Sequence, residues 1–204
     1  MPGVVIGDAA WRRTTRTRRA QGHTIAGLYD LSSANPTLLS ERYRSQMQSI
    51  TTYLLRGALA GAVGTTALNA MTYLDMTVRG RPASSTPEQV VERSAELLGI
   101  PLPVDEDKRQ GRESGLGSLL GTVAGISAGI VLGGLRATGR PRSTAGTVGA
   151  AWVLVMLAGN GPMTALGVTD PRTWATTDWV ADVVPHFAYA AAAAATLAAF
   201  EQPG

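Results

Sequence analysis

Residues 115–135 read GLGSLLGTVAGISAGIVLGGL, a run without a single charge in which Gly117, Gly121, Gly125, Gly129 and Gly133 recur at every fourth position. In water this makes a poor helix, because each glycine costs about 1 kcal/mol relative to alanine. In lipid the balance reverses: no water reaches the backbone N–H and C=O groups, and a helix is how one segment satisfies them by itself. Small residues at this spacing also let helix backbones approach closely. The stretch predicts a membrane-spanning helix with a glycine-zipper packing surface. Four residues advance a helix by 400°, so five such glycines wind through about 160° of its circumference. One straight partner cannot use them all. Either the crossing is right-handed and steep, or two neighbours use different parts of the stripe.

Outward from this stretch, charge is spread unevenly. No Asp, Glu, Lys or Arg occurs in residues 57–74, 114–135, 143–169 or 183–200. Each run is long enough to cross a hydrocarbon core of about 30 Å, the first and last only just. The expected fold is all-α and polytopic: four transmembrane helices at about 54–75, 114–135, 144–166 and 179–200, packed as a small bundle. Whole-chain averages conceal this pattern, with 45% hydrophobic residues and a mean hydropathy near zero.

Cysteine is absent, which excludes disulfides, thiolate metal sites and cysteine nucleophiles. The net charge of +3 owes much to Arg12, Arg13, Arg16, Arg18 and Arg19. Residues 1–46 show no apolar periodicity and are expected to be a disordered, Arg-rich cytoplasmic tail, or to precede a true start at Met47. No apolar segment follows the early arginines as a secretory signal requires. An arm of this kind suits anionic lipid or nucleic acid, but the plain tail is preferred and no nucleic-acid partner is expected.

Span one carries Gly57 and Gly61. Gly61, Thr65, Asn69, Thr72 and Tyr73 fall within about 120° of one another, a small and polar side expected to face protein, with Asn69 hydrogen-bonding a neighbouring helix. The long connection that follows contains a helix over about 87–98: Thr86 reads as N-cap, Pro87 as first helical residue and Gln89 as the partner in a capping box, with Gly99 and Pro101 as stops. Val90, Val91, Leu97 and Leu98 are expected on one side, Glu88, Glu92 and Glu96 on the other. The next residues, PLPVDEDKRQGRE, read as polar turn material without the spacing of a calcium loop.

Arg136, Arg140 and Arg142 form a short basic loop, which together with the Arg-rich N-terminus argues for both termini in the cytoplasm of a plasma-membrane, multi-pass protein. The arginines of the long loop argue the other way if the chain starts at Met47. Span three ends in Gly159-Asn160-Gly161-Pro162, where proline either stops the helix or breaks it within the membrane.

In span four, Asp178, Asp182, His186 and Tyr189 lie within about 80° of arc, while Val180, Val183, Val184 and Phe187 occupy the other side. Ionisable groups at membrane depth are costly and normally face the bundle interior, so Asn69, Asn160, Asp178, Asp182, His186 and Tyr189 are the candidate polar site. Asp182 and His186 stand one turn apart and suit proton transfer. The simpler reading, which is preferred, makes the carboxylates caps of the first helical turns. A metal site would need further ligands, and His23 in the tail is the only other histidine.

Three stretches, RGALAGAVGTTALNAMTYLDMTVRGRPASSTPEQVVE, GNGPMTALGVTDPRTW and DWVADVVPHFAYA, resemble a group of uncharacterised four-span membrane proteins of actinobacteria, and more faintly the YagU type of bacterial inner-membrane protein. The resemblance spans about residues 54–200 and implies the four-span fold without a reaction. The expected function is that of a non-enzymatic integral membrane component or scaffold, contacting lipid and, through the glycine stripe, a second copy or another membrane protein. The alternative is a small proton- or cation-coupled transporter or channel with Asp182 and His186 as carriers. No catalytic set, cofactor loop or metal set is recognisable.

Overall fold

The structure, a computed structural model, describes residues 36–201. By its internal contacts the chain divides into two units, Met1–Met47 and Gln48–Gly204. The expected tail over residues 1–35 lies outside the described residues. Its last part is a correction: helix α1, Pro36–Arg79, starts there and runs for 44 residues. Proline is pre-organised for a first helical position, and no further proline or glycine interrupts the sequence until Gly57.

The other described helices are α2, Thr86–Leu98, α3, Glu106–Ala137, α4, Thr144–Ala165, and α5, Thr176–Glu201, with a short 3-10 turn at Pro171–Thr173. No strand occurs among the described residues. Helices α3, α4 and α5 are each long and apolar enough to cross a membrane. Four spans were expected, and α1 is not among these three. Gly57, Gly61, Gly64, Thr65, Thr66 and Asn69 dilute its apolar content.

Local chemistry explains the boundaries. Helix α2 begins one residue earlier than expected: its N-cap is Ser85, which makes no side-chain cap to the backbone, and the expected capping box is replaced by a side-chain bond from Gln89 Nε2 to Ser85 Oγ at 2.9 Å. It ends at Gly99, whose φ of 66° is the left-handed conformation that glycine reaches without strain, and Ile100 N donates back to Ala95 O. Helix α3 begins eight residues before the expected span. Asp105 accepts from Lys108 N at 3.0 Å, and Glu106 and Asp107 complement the helix dipole. Residues expected to be turn material are thus the first two turns of a helix.

In α4 neither expectation for Gly159-Asn160-Gly161-Pro162 holds as stated. The helix passes through Pro162 and closes one turn later at Gly167, φ 71°, with Val168 N donating to Met163 O. Proline forfeits one helical hydrogen bond, and the residues that follow it stay helical to Ala165.

Packing is inverted relative to a water-soluble protein. Among the described residues the core is built from Ala60, Ala128, Ala151, Ala190 and Ala193 with Val155, Leu197 and only two large, fully buried side chains, Leu132 and Tyr189. The large apolar residues Leu119, Val123, Leu157, Val180 and Phe187 are exposed. Hydrophobic burial in water selects the opposite arrangement, whereas in lipid there is no drive to bury leucine, and close backbone packing decides which residues are inside.

The glycine stripe is shared between two neighbours. A Cβ on Gly129 would meet Gly61 Cα at 2.5 Å, one on Gly61 would meet Ile126 Cα at 2.9 Å, and one on Gly57 would meet Gly133 Cα at 2.9 Å, so α1 and α3 touch backbone to backbone. Gly125 faces Thr65. Gly117 lies against Pro87 of α2 instead, with a would-be Cβ 2.9 Å from Pro87 Cβ, and Gly121 meets nothing. The 40° drift per four residues carries the stripe off one partner and onto the next.

Ionic and aromatic contacts tie the helix ends. Arg136, near the end of α3, pairs with Glu201 of α5 and donates to Pro141 O, while Arg56 of α1 lies over the Phe200 ring at 5.7 Å. At the opposite end Trp174 and Trp179 meet edge to face at 5.0 Å between centroids, and Trp174 Nε1 donates to Thr169 Oγ1.

Candidate functional site

The site is assembled where the end of α4 meets the beginning of α5. Asn160 Nδ2 donates to Asp182 Oδ2 at 2.9 Å. One turn further along α5, His186 Nδ1 lies 2.7 Å from the Asp182 carbonyl oxygen and 3.4 Å from its Oδ1. A carbonyl oxygen can only accept, so Nδ1 is the donor in this contact and Nε2 is the ring nitrogen left over. That nitrogen is directed at Gly159, 3.2 Å from where a Cβ would stand, so the glycine beside Asn160 provides the room in which the imidazole sits. The side chains of His186 and Asp182 retain 13% and 18% of their exposure.

Chemically, this is a carboxylate that accepts from an amide on the neighbouring helix and has an imidazole of its own helix 3.4 Å away. A proton added at Nε2 would place a positive charge beside the carboxylate and make the two an ion pair. Among the described residues no group of three His, Cys, Asp or Glu side chains gathers closely enough to hold a metal ion.

The remaining candidates separate. Asp178 is exposed and its Oδ2 accepts from Ala175 N at 3.0 Å, a helix-start contact apart from the polar group. Tyr189 is buried and packs as structure: its ring covers Gly64, with would-be Cβ contacts of 2.7 Å and 2.8 Å, and its hydroxyl donates to Gly125 O at 2.6 Å. Asn69 corrects the expectation of a buried polar contact, because it is exposed. It stands twelve residues beyond Gly57, and the accumulated drift of about 120° has turned it away from the α1–α3 seam.

Sequence reading overlooked Gly159 as the seat of His186 and Gly64 as the seat of Tyr189. The signal was small residues at positions opposite large ones on another helix, which only the pairing of helices reveals. It also placed Leu97 and Leu98 with the packed side of α2, whereas both are exposed and Ala95 is buried with Val90 and Val91. Glu92, expected on the side of α2 opposite Val90 and Val91, pairs with Arg109 of α3, which also bonds Glu113 at 2.9 Å. These carboxylates, Glu113 first, hold the Arg109 guanidinium above its ordinary range. In the loop before α5, Arg172 beside Asp170 holds that carboxyl below the ordinary aspartate range.

Compared with known proteins, the chain matches no protein-family model, no curated protein and no solved structure.

Proposed function

We propose that this chain is a four-span integral protein of the bacterial plasma membrane, with α1 as the fourth span, and that it is a non-enzymatic carrier of protons or small cations through Asp182 and His186. The observation that carries this reading is the Asn160–Asp182–His186 contact at the α4–α5 seam. The inverted packing supports the bilayer as solvent. A helix of 26 residues measures about 39 Å and exceeds a hydrocarbon core of about 30 Å by some 4–5 Å at each end. Asp182 then lies about 5 Å and His186 about 10 Å inside the boundary, depths at which an ionisable group is costly and normally serves a pathway.

Orientation follows from arginine. The short basic loop of Arg136, Arg140 and Arg142 together with the Arg-rich N-terminus favours the cytoplasm for the end opposite Trp174, against seven cations at the Trp174 end. Both termini are then cytoplasmic and the polar group opens toward the outer face. The resemblance to four-span actinobacterial membrane proteins is in keeping with this arrangement.

The competing reading is a scaffold that oligomerises through its glycines. It is weakened because Gly125, Gly129 and Gly133 already meet α1 of the same chain and Gly117 meets α2.

The test is proton flux into proteoliposomes under an imposed potential, reported by a trapped pH-sensitive dye. Wild-type protein is expected to exceed empty vesicles, with flux lost in His186→Ala and Asp182→Asn and lowered in Asn160→Ala. Wild-type flux equal to that of empty vesicles, or unchanged in His186→Ala, rejects the carrier.

A further inference from the structure

Helices α2 and α3 form an antiparallel hairpin whose tip carries an apolar patch of its own. Pro87 packs against Gly117 at the base, Glu92 pairs with Arg109 higher up, and residues 99–105 make the turn. Residues 106–113 of α3 hold six charges and cannot enter hydrocarbon, so the hairpin extends about 12 Å past the start of the expected span at residue 114. The headgroup layer accounts for roughly 5–8 Å of this, and the tip stands in water.

Four large apolar side chains are nevertheless exposed there: Leu97 at 63%, Leu98 at 72%, Ile100 at 57%, and Val104 fully. The lipid that accounts for exposed leucines elsewhere in the bundle does not account for these. Single exposed apolar residues need no explanation, but four within eight residues of a tight turn do. Ile100 and Val104 also line one cleft, of about 420 Å³, together with Glu92, Glu96 and Arg109.

Charge decides the occupant. Between residues 92 and 109 there are five carboxylates and three cations. All three cations are paired within the chain, Arg93 with Glu96, Arg109 with Glu92 and Lys108 with Asp105, while Glu106 and Asp107 are exposed and make no ion pair among the described residues. An acidic rim repels an anionic lipid surface and a second identical tip, and it attracts a cationic partner.

We infer that the tip of the α2–α3 hairpin is a docking surface for a basic polypeptide segment that presents large apolar side chains, on the membrane face opposite the Arg136 loop. It rests on the membrane reading above and is independent of proton transfer, since none of its residues belongs to the polar group.

The test uses the full chain in nanodiscs of uncharged phosphatidylcholine. The probe is a fluorescent helical peptide of roughly 16 residues made of Leu and Lys, with Leu at i, i+3, i+4 and i+7, read by anisotropy. Binding is expected to exceed that to empty discs and to weaken roughly tenfold in Leu98→Ser with Val104→Ser, and again in Glu106→Lys with Asp107→Lys. All four positions are exposed, and circular dichroism checks that helix content is kept. Equal binding to empty discs, equal binding of the Leu/Glu counterpart peptide, or affinity unchanged in both double variants overturns the inference. So does disulfide pairing of Val104→Cys between copies, which would identify the occupant as a second chain.

Discussion

Replacing Gly129 with alanine adds one methyl group at the tightest point of the α1–α3 seam. The new Cβ would stand 2.5 Å from Gly61 Cα and 2.6 Å from Gly61 N, and against Gly57 O, whereas ordinary contact begins at 3.4 Å. The obstructing atoms are backbone on both sides, so no rotamer change relieves them, and the two helices must part by about 1 Å at the crossing. Overpacking by a methylene costs about 1–3 kcal/mol, and a rigid obstruction belongs to the upper half of that range. The expectation is a loss of about 2–3 kcal/mol, a factor of about 30 to 150 in the folding equilibrium. Gly121→Ala is the control on the same helix, since a Cβ there meets nothing within 4 Å. Reversible unfolding in bicelles, followed by tryptophan fluorescence, measures both. The backbone-contact account is refuted if Gly129→Ala unfolds within about 0.5 kcal/mol of wild type, or if Gly121→Ala is destabilised to the same degree.

Two smaller changes probe other parts of the molecule. Tyr189→Phe keeps the ring on Gly64 and removes only the hydroxyl that donates to Gly125 O, so the same bicelle measurement is expected to show a loss of about 1 kcal/mol. At Asp170 the folded-state carboxyl is held below its unfolded value by Arg172. Its contribution is therefore complete above the unfolded value, near about pH 4, and is lost as pH falls through the lowered one. In Asp170→Asn this share of the acid-side slope is expected to vanish, and stability at neutral pH to fall by the amount the pair contributes there. An acid limb identical to that of wild type would rule out the pair as its cause.

Much of the fold was legible because lipid leaves a coarse signature. Charge-free runs mark where the chain is long and apolar enough to cross, and α3, α4 and α5 follow three of them. Helix α2 was readable from Pro87 and Gly99, whose backbone constraints act within a few residues. Boundaries failed where a local cap competed with a polar composition: residues 106–113 read as turn, yet Asp105 and the helix dipole make them helical. The site was legible in part. Asp182 and His186 share a turn of one helix, so their spacing placed them together. Asp178 and Tyr189 share the same arc but not the same surroundings, because an 80° wedge on α5 faces a loop at one height and α1 and α3 at another.

Periodicity and charge, properties of a single helix, were enough to set down an all-helical chain with a glycine-faced segment at its centre and an acid and a histidine one turn apart. Which helices those features would meet was decided only in three dimensions. Asn160 joined Asp182, Asn69 turned outward, and the glycines met α1 and α2. The reason is geometric: small residues state that a neighbour can come close but carry no mark of which one, and the drift of the helical repeat decides that only after the axes have crossed.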